Sequence, residues 1–362
     1  MWLPAALLAL WLSVLPHVLV VLGPPPEVAP PSVGPGFAAN GADSTAEQVV
    51  AVLHLRREDL PHAIRGEIYP VAQIVGGRYE DALVSGPNPL TDEPPSPIAG
   101  GALDSTRDFT VYDRGAPIGS FAVTDVGPAV YSCRGVMVGF GRLEIPERYV
   151  RFGRFDPRVH SLSVSGRGVR YEYTLNYYLA LARPIPQDGF RADSAADRSA
   201  TSRLRAAVWT EGVKALSEYG EGPWLPGARW EEPRWVLEEG FQVFDLNRDG
   251  RLEGVGVMEA IVTDDGAPLD GGLGPSQYVA TAIVWASDRG EGRPEPLLVL
   301  RHAREVRHWN FGYHLAEVLD LDGDGVAEPF YQVEAWEYYG FQIYALRNGA
   351  LEEVFSGAAY GC

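Results

Sequence analysis

Two stretches in the second half of the chain repeat one pattern of oxygen-bearing side chains, and that pattern constrains the local fold closely. Each has the form D-x-[DN]-x-D-G-x-x-E, with oxygen-bearing side chains at positions 1, 3, 5 and 9 and glycine at position 6. Alternate side chains of an extended loop point the same way, so positions 1, 3 and 5 converge. Glycine at position 6 adopts the positive φ that lets the chain reverse. The sequence therefore predicts two tight turns, loop 1 (residues 245–253) and loop 2 (residues 320–328).

Converging oxygen atoms are what a hard cation requires. Ca²⁺ takes about six to eight oxygen ligands from carboxylates, amides and backbone carbonyls. Each loop offers the four side chains just described, and the backbone carbonyl at position 7 adds another oxygen. We therefore predict Ca²⁺ as the cofactor. The predicted ligands are Asp245, Asn247, Asp249, the Arg251 carbonyl and Glu253 in loop 1, and Asp320, Asp322, Asp324, the Val326 carbonyl and Glu328 in loop 2.

The loops differ from an EF-hand in their last ligand and in their flanks. An EF-hand has a bidentate Glu at position 12 and a helix on each side. Position 12 is Gly256 after loop 1 and Tyr331 after loop 2, and neither side chain chelates calcium. The flanking runs are rich in β-branched and aromatic residues, which are typical of strands. We expect the order strand, cation loop, strand in both places.

The two predicted sites differ in charge. Loop 2 has four carboxylates and no basic residue, whereas loop 1 has three carboxylates and contains Arg248 and Arg251. The charge of the ligands tunes calcium affinity, so loop 2 is predicted to be the tighter site. The alternative for both loops is an acidic, glycine-rich turn that binds nothing.

This motif between two strands resembles the FG-GAP or VCBS repeat, the cation loop of integrin α-chain propeller blades and of many exported bacterial proteins. The resemblance covers the segment 229–362 and implies calcium binding outside the cytoplasm. A full propeller has about four or more blades. Two copies therefore imply blade-like antiparallel sheets or a sandwich, not a complete propeller. The matching residues are Asp245, Asn247, Asp249 and Glu253 in the first copy, and Asp320, Asp322, Asp324 and Glu328 in the second.

The composition favours a folded protein that does not bind nucleic acid. The 362 residues are 46% hydrophobic, which is enough for a sizeable core and for two domains. Asp and Glu number 48 against 30 Lys and Arg, so the formal net charge is −18. Contacts to phosphate need clustered basic residues, and this excess of acids disfavours them.

The N-terminus predicts export. Residues Trp2 to Leu22 carry no Asp, Glu, Lys or Arg and are long enough to span a bilayer. An uncleaved transmembrane anchor and a cleaved signal peptide both remain open, because a basic start and a nearby A-x-A cleavage site are missing. We expect a protein that is periplasmic, secreted or anchored facing outside the cytoplasm. If the segment is uncleaved, it makes the membrane a partner.

The chain has two cysteines, Cys133 and Cys362. In an exported protein an even number of cysteines favours a disulfide, which here would tie the C-terminus to the first domain. Two independent buried thiols are the alternative.

We predict a mainly β protein with one linking helix. The segments are a signal peptide or anchor (1–23), a Pro/Gly-rich linker (24–44), a β-rich domain (45–190), the linking α-helix (191–228) and the calcium-loop domain (229–362). The helix is expected to span about 18 residues from a cap near Ser199 or Thr201, because apolar residues recur at near-helical spacing. Hairpins are predicted after residues 69–75 and 109–112. Strands of the last domain are predicted at 235–244, 254–262, 278–286, 296–302, 313–319, 329–338 and 341–347.

Catalytic motifs do not indicate an enzymatic activity. The sequence lacks G-x-S-x-G, H-E-x-x-H, a P-loop and a dinucleotide glycine fingerprint. His302, His308 and His314 recur every six residues, a spacing that fits surface or half-buried histidines better than zinc ligands. Aromatic residues crowd the C-terminal half, where they either fill the core or form a platform for sugar rings. The tryptophans concerned are Trp224, Trp230, Trp235, Trp285, Trp309 and Trp336.

These observations favour an exported calcium-binding β protein. Its expected role is a binding or adhesion module, or a structural module, that meets an unknown protein or glycan at the cell envelope. The alternative is an extracytoplasmic hydrolase of glycans or peptides in which calcium is only structural.

Overall fold

The computed structural model describes residues 47–57, 64–83, 103, 107–128, 136–146, 177–186, 190–191, 198–220, 229–230, 232–236, 240–264, 276–290, 292–305, 312–335 and 338–361. The chain divides into two units, Met1–Gly41 and Ala42–Cys362, and every described residue belongs to the second. This part is mainly β, with one helix, several antiparallel sheets and no complete propeller, which confirms the predicted fold class.

The first strands close into a barrel. Their order is β1-β7-β4-β5-β6-β2-β3, and β1 also pairs with β2, so six strands form a closed ring that β3 extends at one point. Gly76 and Gly77 turn β2 into β3 with φ of 56° and 74°, as the sequence predicts for this hairpin. The strands are β1 (Gln48–Arg57), β2 (Ile64–Val75), β3 (Arg78–Asp81), β4 (Asp108–Asp113), β5 (Ala116–Pro128), β6 (Met137–Glu144) and β7 (Tyr177–Leu181).

Two further sheets each run as a four-stranded antiparallel meander. Sheet 2 has the order β10-β11-β12-β13, with β8 and β9 paired to β11, and sheet 3 has the order β14-β15-β16-β17. The strands of sheet 2 are β8 (Arg229–Trp230), β9 (Arg234–Trp235), β10 (Phe241–Phe244), β11 (Glu253–Asp264), β12 (Ser276–Ser287) and β13 (Glu295–Glu305). Those of sheet 3 are β14 (Gly312–Leu319), β15 (Glu328–Ala335), β16 (Tyr338–Arg347) and β17 (Ala350–Gly361).

Sheet 3 lies between the barrel and sheet 2. Neighbouring residues of a strand point to opposite faces, and β15 shows this directly. Phe330 packs in a cluster with the barrel residues Val52 and Tyr69, whereas Tyr331 packs with residues of sheet 2. The indole N–H of Trp285 in sheet 2 donates to the Tyr331 hydroxyl at 2.6 Å, and both side chains are fully buried. Core residues from both predicted domains therefore share one cluster.

Polar contacts reinforce the junction between the barrel and sheet 3. The Glu317 carboxylate in β14 accepts hydrogen bonds from the backbone N–H groups of Arg114 (2.6 Å) and Gly115 (3.1 Å) at the turn between β4 and β5. The Asp81 carboxylate at the end of β3 accepts one from Ala358 N in β17 (3.1 Å). Hydrogen bonds to charged acceptors are stronger than neutral ones. These bonds fix the barrel hairpins against sheet 3.

The helix belongs to the core of sheet 2. It spans α1 (Arg198–Gly220), which is longer than predicted. Leu204 and Leu216 are fully buried and pack in a cluster with Met258 and Val284, on the face of sheet 2 opposite to sheet 3. The guanidinium of Arg203 donates from Nε and Nη2 to one oxygen of the buried Asp288 carboxylate, at 3.1 and 2.6 Å.

Several expectations lie outside the described residues. They include the segments 1–23 and 24–44, both cysteines (Cys133 and Cys362), and Trp224, His308, Trp309 and Trp336. Within the part of the chain that is described, no helix is long and apolar enough to cross a membrane.

Replacing Leu204 by Ala should destabilise the protein by about 2–5 kcal/mol, because it leaves a cavity between the helix and sheet 2. Urea unfolding measures the change. Ser202→Ala, at an exposed position two residues earlier, is the control and should stay within about 0.5 kcal/mol of the wild type. Equal effects of the two substitutions would contradict the packing of this helix face.

Candidate cation site

Both loops connect strands, as the motif predicts. Loop 1 leads from β10 to β11, and loop 2 leads from β14 to β15. The predicted strand over 235–244 is two strands, β9 and β10, and residues 237–239 between them are not described. No described helix adjoins either loop, so the surroundings are not those of an EF-hand.

The same set of backbone hydrogen bonds shapes the two loops. In each, N–H groups at positions 2, 5, 6 and 7 donate to side chains at positions 9, 3, 1 and 5. In loop 1 the bonds are Leu246 N to Glu253 Oε2 (3.0 Å), Asp249 N to Asn247 Oδ1 (3.3 Å), Gly250 N to Asp245 Oδ2 (3.0 Å) and Arg251 N to Asp249 Oδ1 (2.8 Å). In loop 2 they are Leu321 N to Glu328 Oε2 (2.7 Å), Asp324 N to Asp322 Oδ1 (3.0 Å), Gly325 N to Asp320 Oδ2 (3.0 Å) and Val326 N to Asp324 Oδ1 (2.8 Å).

Position 4 distinguishes the loops. It has positive φ in both, 84° at Gly323 and 56° at Arg248, and a non-glycine residue adopts this conformation at a cost. In loop 2 the N–H of Gly323 donates to Asp320 Oδ1 at 2.6 Å. In loop 1 the equivalent atom, Asp245 Oδ1, is buried and has no hydrogen-bond partner among the described residues. A buried oxygen of this kind suits a cation, which would accept its lone pair.

Loop 2 gathers its carboxylates. Oxygen atoms of Asp320, Asp322 and Glu328 all lie within 4.8 Å of one another, and we name these three residues the acid cluster. Asp320 and Glu328 are 3% and 2% exposed. Asp324, the fourth predicted carboxylate of the loop, lies outside the cluster and is exposed. Among the described residues, the carboxylates of loop 1 are not gathered to this degree.

Burial makes the charge of the acid cluster costly. Burial raises the pKa of Glu328 well above its usual value and that of Asp320 to about 6, and neighbouring carboxylates add to both shifts. The pKa of Asp322 is raised for the same two reasons. A divalent cation among these oxygens would replace mutual repulsion by attraction and favour the ionised forms. The donor set, hard oxygens on a short loop, is the one that Ca²⁺ prefers.

The glutamate of loop 1 is also buried and costly to ionise. Glu253 is 3% exposed, and its Oε1 accepts a hydrogen bond from the Ser287 hydroxyl at 2.9 Å. Burial raises the pKa of Glu253 to about 7, with Asp249 and Asp245 adding to the shift, although the hydrogen bonds from Leu246 and Ser287 oppose it. Loop 1 therefore also has a buried carboxylate that a cation would help to ionise.

The two loops touch each other through their backbones. The N–H of Ala327, at position 8 of loop 2, donates to the carbonyl of Leu246, at position 2 of loop 1, at 2.7 Å. Both residues are fully buried in the cluster between sheets 2 and 3. The loops thus lie side by side at the junction of the two sheets.

One residue near loop 2 belongs to no sequence motif and was not predicted. The hydroxyl of Tyr79, in β3 of the barrel, is buried and has no hydrogen-bond partner in the described part of the protein. Burial raises its pKa, and the carboxylates of loop 2 (Asp320, Asp322, Asp324 and Glu328) raise it further. More than two hundred residues separate Tyr79 from this loop, so only the fold brings them together.

Of the other candidate residues, Trp285 lies in the core, and Trp235 and His302 are half-buried. Trp285 is fully buried, and Trp235 is half-buried against Trp209, with ring centroids 5.3 Å apart. His302 is half-buried in β13 with its ring centroid 5.7 Å from that of Tyr313. Trp285 therefore fills the core, one of the two roles considered for the tryptophans.

Comparison with protein-family models, with curated proteins and with solved structures found no match to this chain. The site is thus defined by its own geometry. The resemblance to FG-GAP and VCBS loops stays a prediction.

Without metal, the protein should lose stability as the pH rises from about 4.5 to about 7. Glu253 has a folded pKa of about 7 against an ordinary value of 4.5. Its folded form holds the proton longer than its unfolded form, so its contribution favours folding at low pH and is lost as the pH passes the folded pKa. Urea midpoints in EDTA at about pH 5.5 and about pH 8 measure the effect.

Glu253→Gln is the control for this titration, because it keeps the shape of the side chain and cannot ionise. From about pH 5.5 to about pH 8, the urea midpoint of Glu253→Gln should fall less than that of the wild type. An identical pH dependence in both proteins would contradict the raised pKa.

Proposed function

We propose that the chain is a calcium-stabilised β protein whose loop 2 holds a structural Ca²⁺ ion. The observation that carries the proposal is the acid cluster, in which two almost fully buried carboxylates and a third lie within 4.8 Å in a D-x-D-x-D-G-x-x-E turn. Buried like charges are costly unless a counter-ion pairs with them. We infer that calcium is that counter-ion.

Within loop 2, Asp320, Asp322, Asp324, Glu328 and the carbonyl of Val326 would hold the ion. Bound calcium supplies a positive charge that offsets carboxylate repulsion. The chain's own part is to fix the turn by the hydrogen bonds described above, with the Leu321 side chain buried on one side. Loop 1 is the weaker second site, because it has one carboxylate fewer and an arginine at the strained position 4.

We further propose that the protein acts outside the cytoplasm as a binding, adhesion or structural module at the cell envelope, with a protein or glycan partner. The apolar segment from Trp2 to Leu22 supports export. Loops of extracellular modules bind calcium at roughly 10⁻⁴–10⁻³ M, which suits such a compartment. The barrel and the two sheets, joined by shared buried clusters, would serve as the scaffold of such a module.

Calcium should raise the thermal midpoint of the protein, and EDTA should lower it. At about 10 mM calcium, one site of this affinity stabilises the folded state by about 1.4–2.7 kcal/mol. Differential scanning calorimetry measures the shift, with the same concentration of magnesium as the control for ionic strength. A midpoint that calcium leaves unchanged would remove the proposal.

The two loops can be compared by a matched pair of substitutions. Asp324 and Asp249 occupy position 5, are both exposed, and each accept one backbone hydrogen bond at 2.8 Å. Asp249 also accepts a hydrogen bond from Asn247 Nδ2 at 3.1 Å. Each variant is therefore compared with itself, by the stability that it gains when calcium replaces EDTA. With calcium, Asp324→Ala should lose most of the stabilisation and Asp249→Ala much less. The reverse order would contradict the assignment of loop 2 as the tighter site.

A further inference from the structure

The acid cluster faces a second element, which comes from the barrel. Tyr79 lies in β3 and packs against the cluster of buried residues that contains Leu319, Leu321 and Phe330. Leu319 and Leu321 flank Asp320 in the chain, so this cluster lies directly beneath the start of loop 2. Glu328 lies two residues before Phe330 in β15, so both residues are on the face of the strand that packs on this cluster. The Glu328 carboxylate therefore lies on the side of sheet 3 against which Tyr79 packs.

The chemistry of this hydroxyl fits a charged neighbour. Its oxygen is shielded from solvent and makes no hydrogen bond with the described residues, an unfavourable state for a buried polar group. A phenol has an ordinary pKa of about 10, so at neutral pH it keeps its proton and is a hydrogen-bond donor. Ionised carboxylates are the strongest acceptors for such a donor.

We propose that the Tyr79 hydroxyl is a positioning group of the loop 2 cation site, which donates a hydrogen bond to a carboxylate of that loop when calcium is bound. The inference rests on the proposed function and adds to it a contribution from the barrel. A carboxylate oxygen turned toward the cation leaves its other lone pairs as acceptors. The O–H of Tyr79 satisfies one of them and itself gains a partner.

The consequence is that calcium joins the barrel to sheet 3. The same hairpin is already fixed there by the hydrogen bond from Ala358 N to the Asp81 carboxylate. Tyr79 adds a bond that forms only with the ion. Loading of the loop therefore stabilises the contact of β3 with sheet 3, as well as the turn itself.

The test is Tyr79→Phe in the full-length protein, which removes one oxygen and keeps the ring. In EDTA its thermal midpoint should equal or exceed that of the wild type, because an unpartnered buried hydroxyl is lost. Its calcium affinity, measured by isothermal titration calorimetry, should be about tenfold weaker, which corresponds to about 1.4 kcal/mol. Replacing a tyrosine that only fills the core would not weaken calcium binding while leaving the midpoint in EDTA unchanged or higher.

Tyr331→Phe is the matched control. Tyr331 is fully buried on the opposite face of sheet 3, and its hydroxyl accepts the Trp285 hydrogen bond in the absence of any ion. Removal of the Tyr331 hydroxyl should lower the thermal midpoint by the same amount with and without calcium, and it should leave the calcium affinity unchanged.

Two results would overturn the inference. If Tyr79→Phe binds calcium as tightly as the wild type, Tyr79 has no part in the site, while the proposed function stands. If the wild type itself binds no calcium and behaves like Asp324→Ala, the proposed function fails, and the role of Tyr79 fails with it.

Discussion

The burial of carboxylates in loop 2, to which their mutual repulsion adds, is the constraint on which the account of this protein depends. Glu328 illustrates it best. Its carboxylate accepts the Leu321 N–H at 2.7 Å and so closes the turn, yet the side chain is only 2% exposed. A glutamate in that position is useful to the turn and costly as a charge. The proposed cation would resolve this conflict, because it would leave the hydrogen bond in place and compensate the charge.

The position of the loops in the layered fold gives this local balance a wider effect. Sheet 3 has apolar residues on both faces, one packed on the barrel and one on sheet 2, and loop 2 connects its first two strands. The hydrogen bond from Ala327 to Leu246 brings loop 1 to the same junction. Loop 2 therefore adjoins contacts with both neighbouring layers. A structural ion at this junction, as proposed, would stabilise the packing of the sheets on one another.

The sequence predicted the features that are local and failed for those that depend on distant pairing. The strand, loop, strand order around both acidic motifs follows from residue types within a few positions, and it is confirmed. Strand β1 was missed because Val50 packs on sheet 3 and Val49 packs inside the barrel. Both faces are buried, so no alternation is visible.

Strands β6 and β17 were missed for related reasons. In β6, Gly139 and Gly141 weaken any strand pattern, yet an added Cβ there would approach Ile68 and the backbone of Ala122 to under 3 Å. Their smallness is a tertiary requirement. Strand β17 is interrupted by register shifts and by the small residues around Gly357.

The position of the helix was predicted correctly, but the helix is longer than predicted, because its packing on sheet 2 adds stability that helix propensity alone does not show.

The same distinction holds for the candidate site. Its ligand types, spacing and glycine positions could be predicted from the motif, whereas the gathering of the acid cluster and the approach of Tyr79 depend on how the layers stack.

The most direct measurement of the central claim is a crystal structure of the protein grown in about 10 mM calcium. We expect a density peak bounded by Asp320, Asp322, Asp324 and Glu328, with oxygen distances of about 2.3–2.6 Å. A well-ordered loop 2 without such a peak, with its carboxylates directed away from one another, would contradict the account.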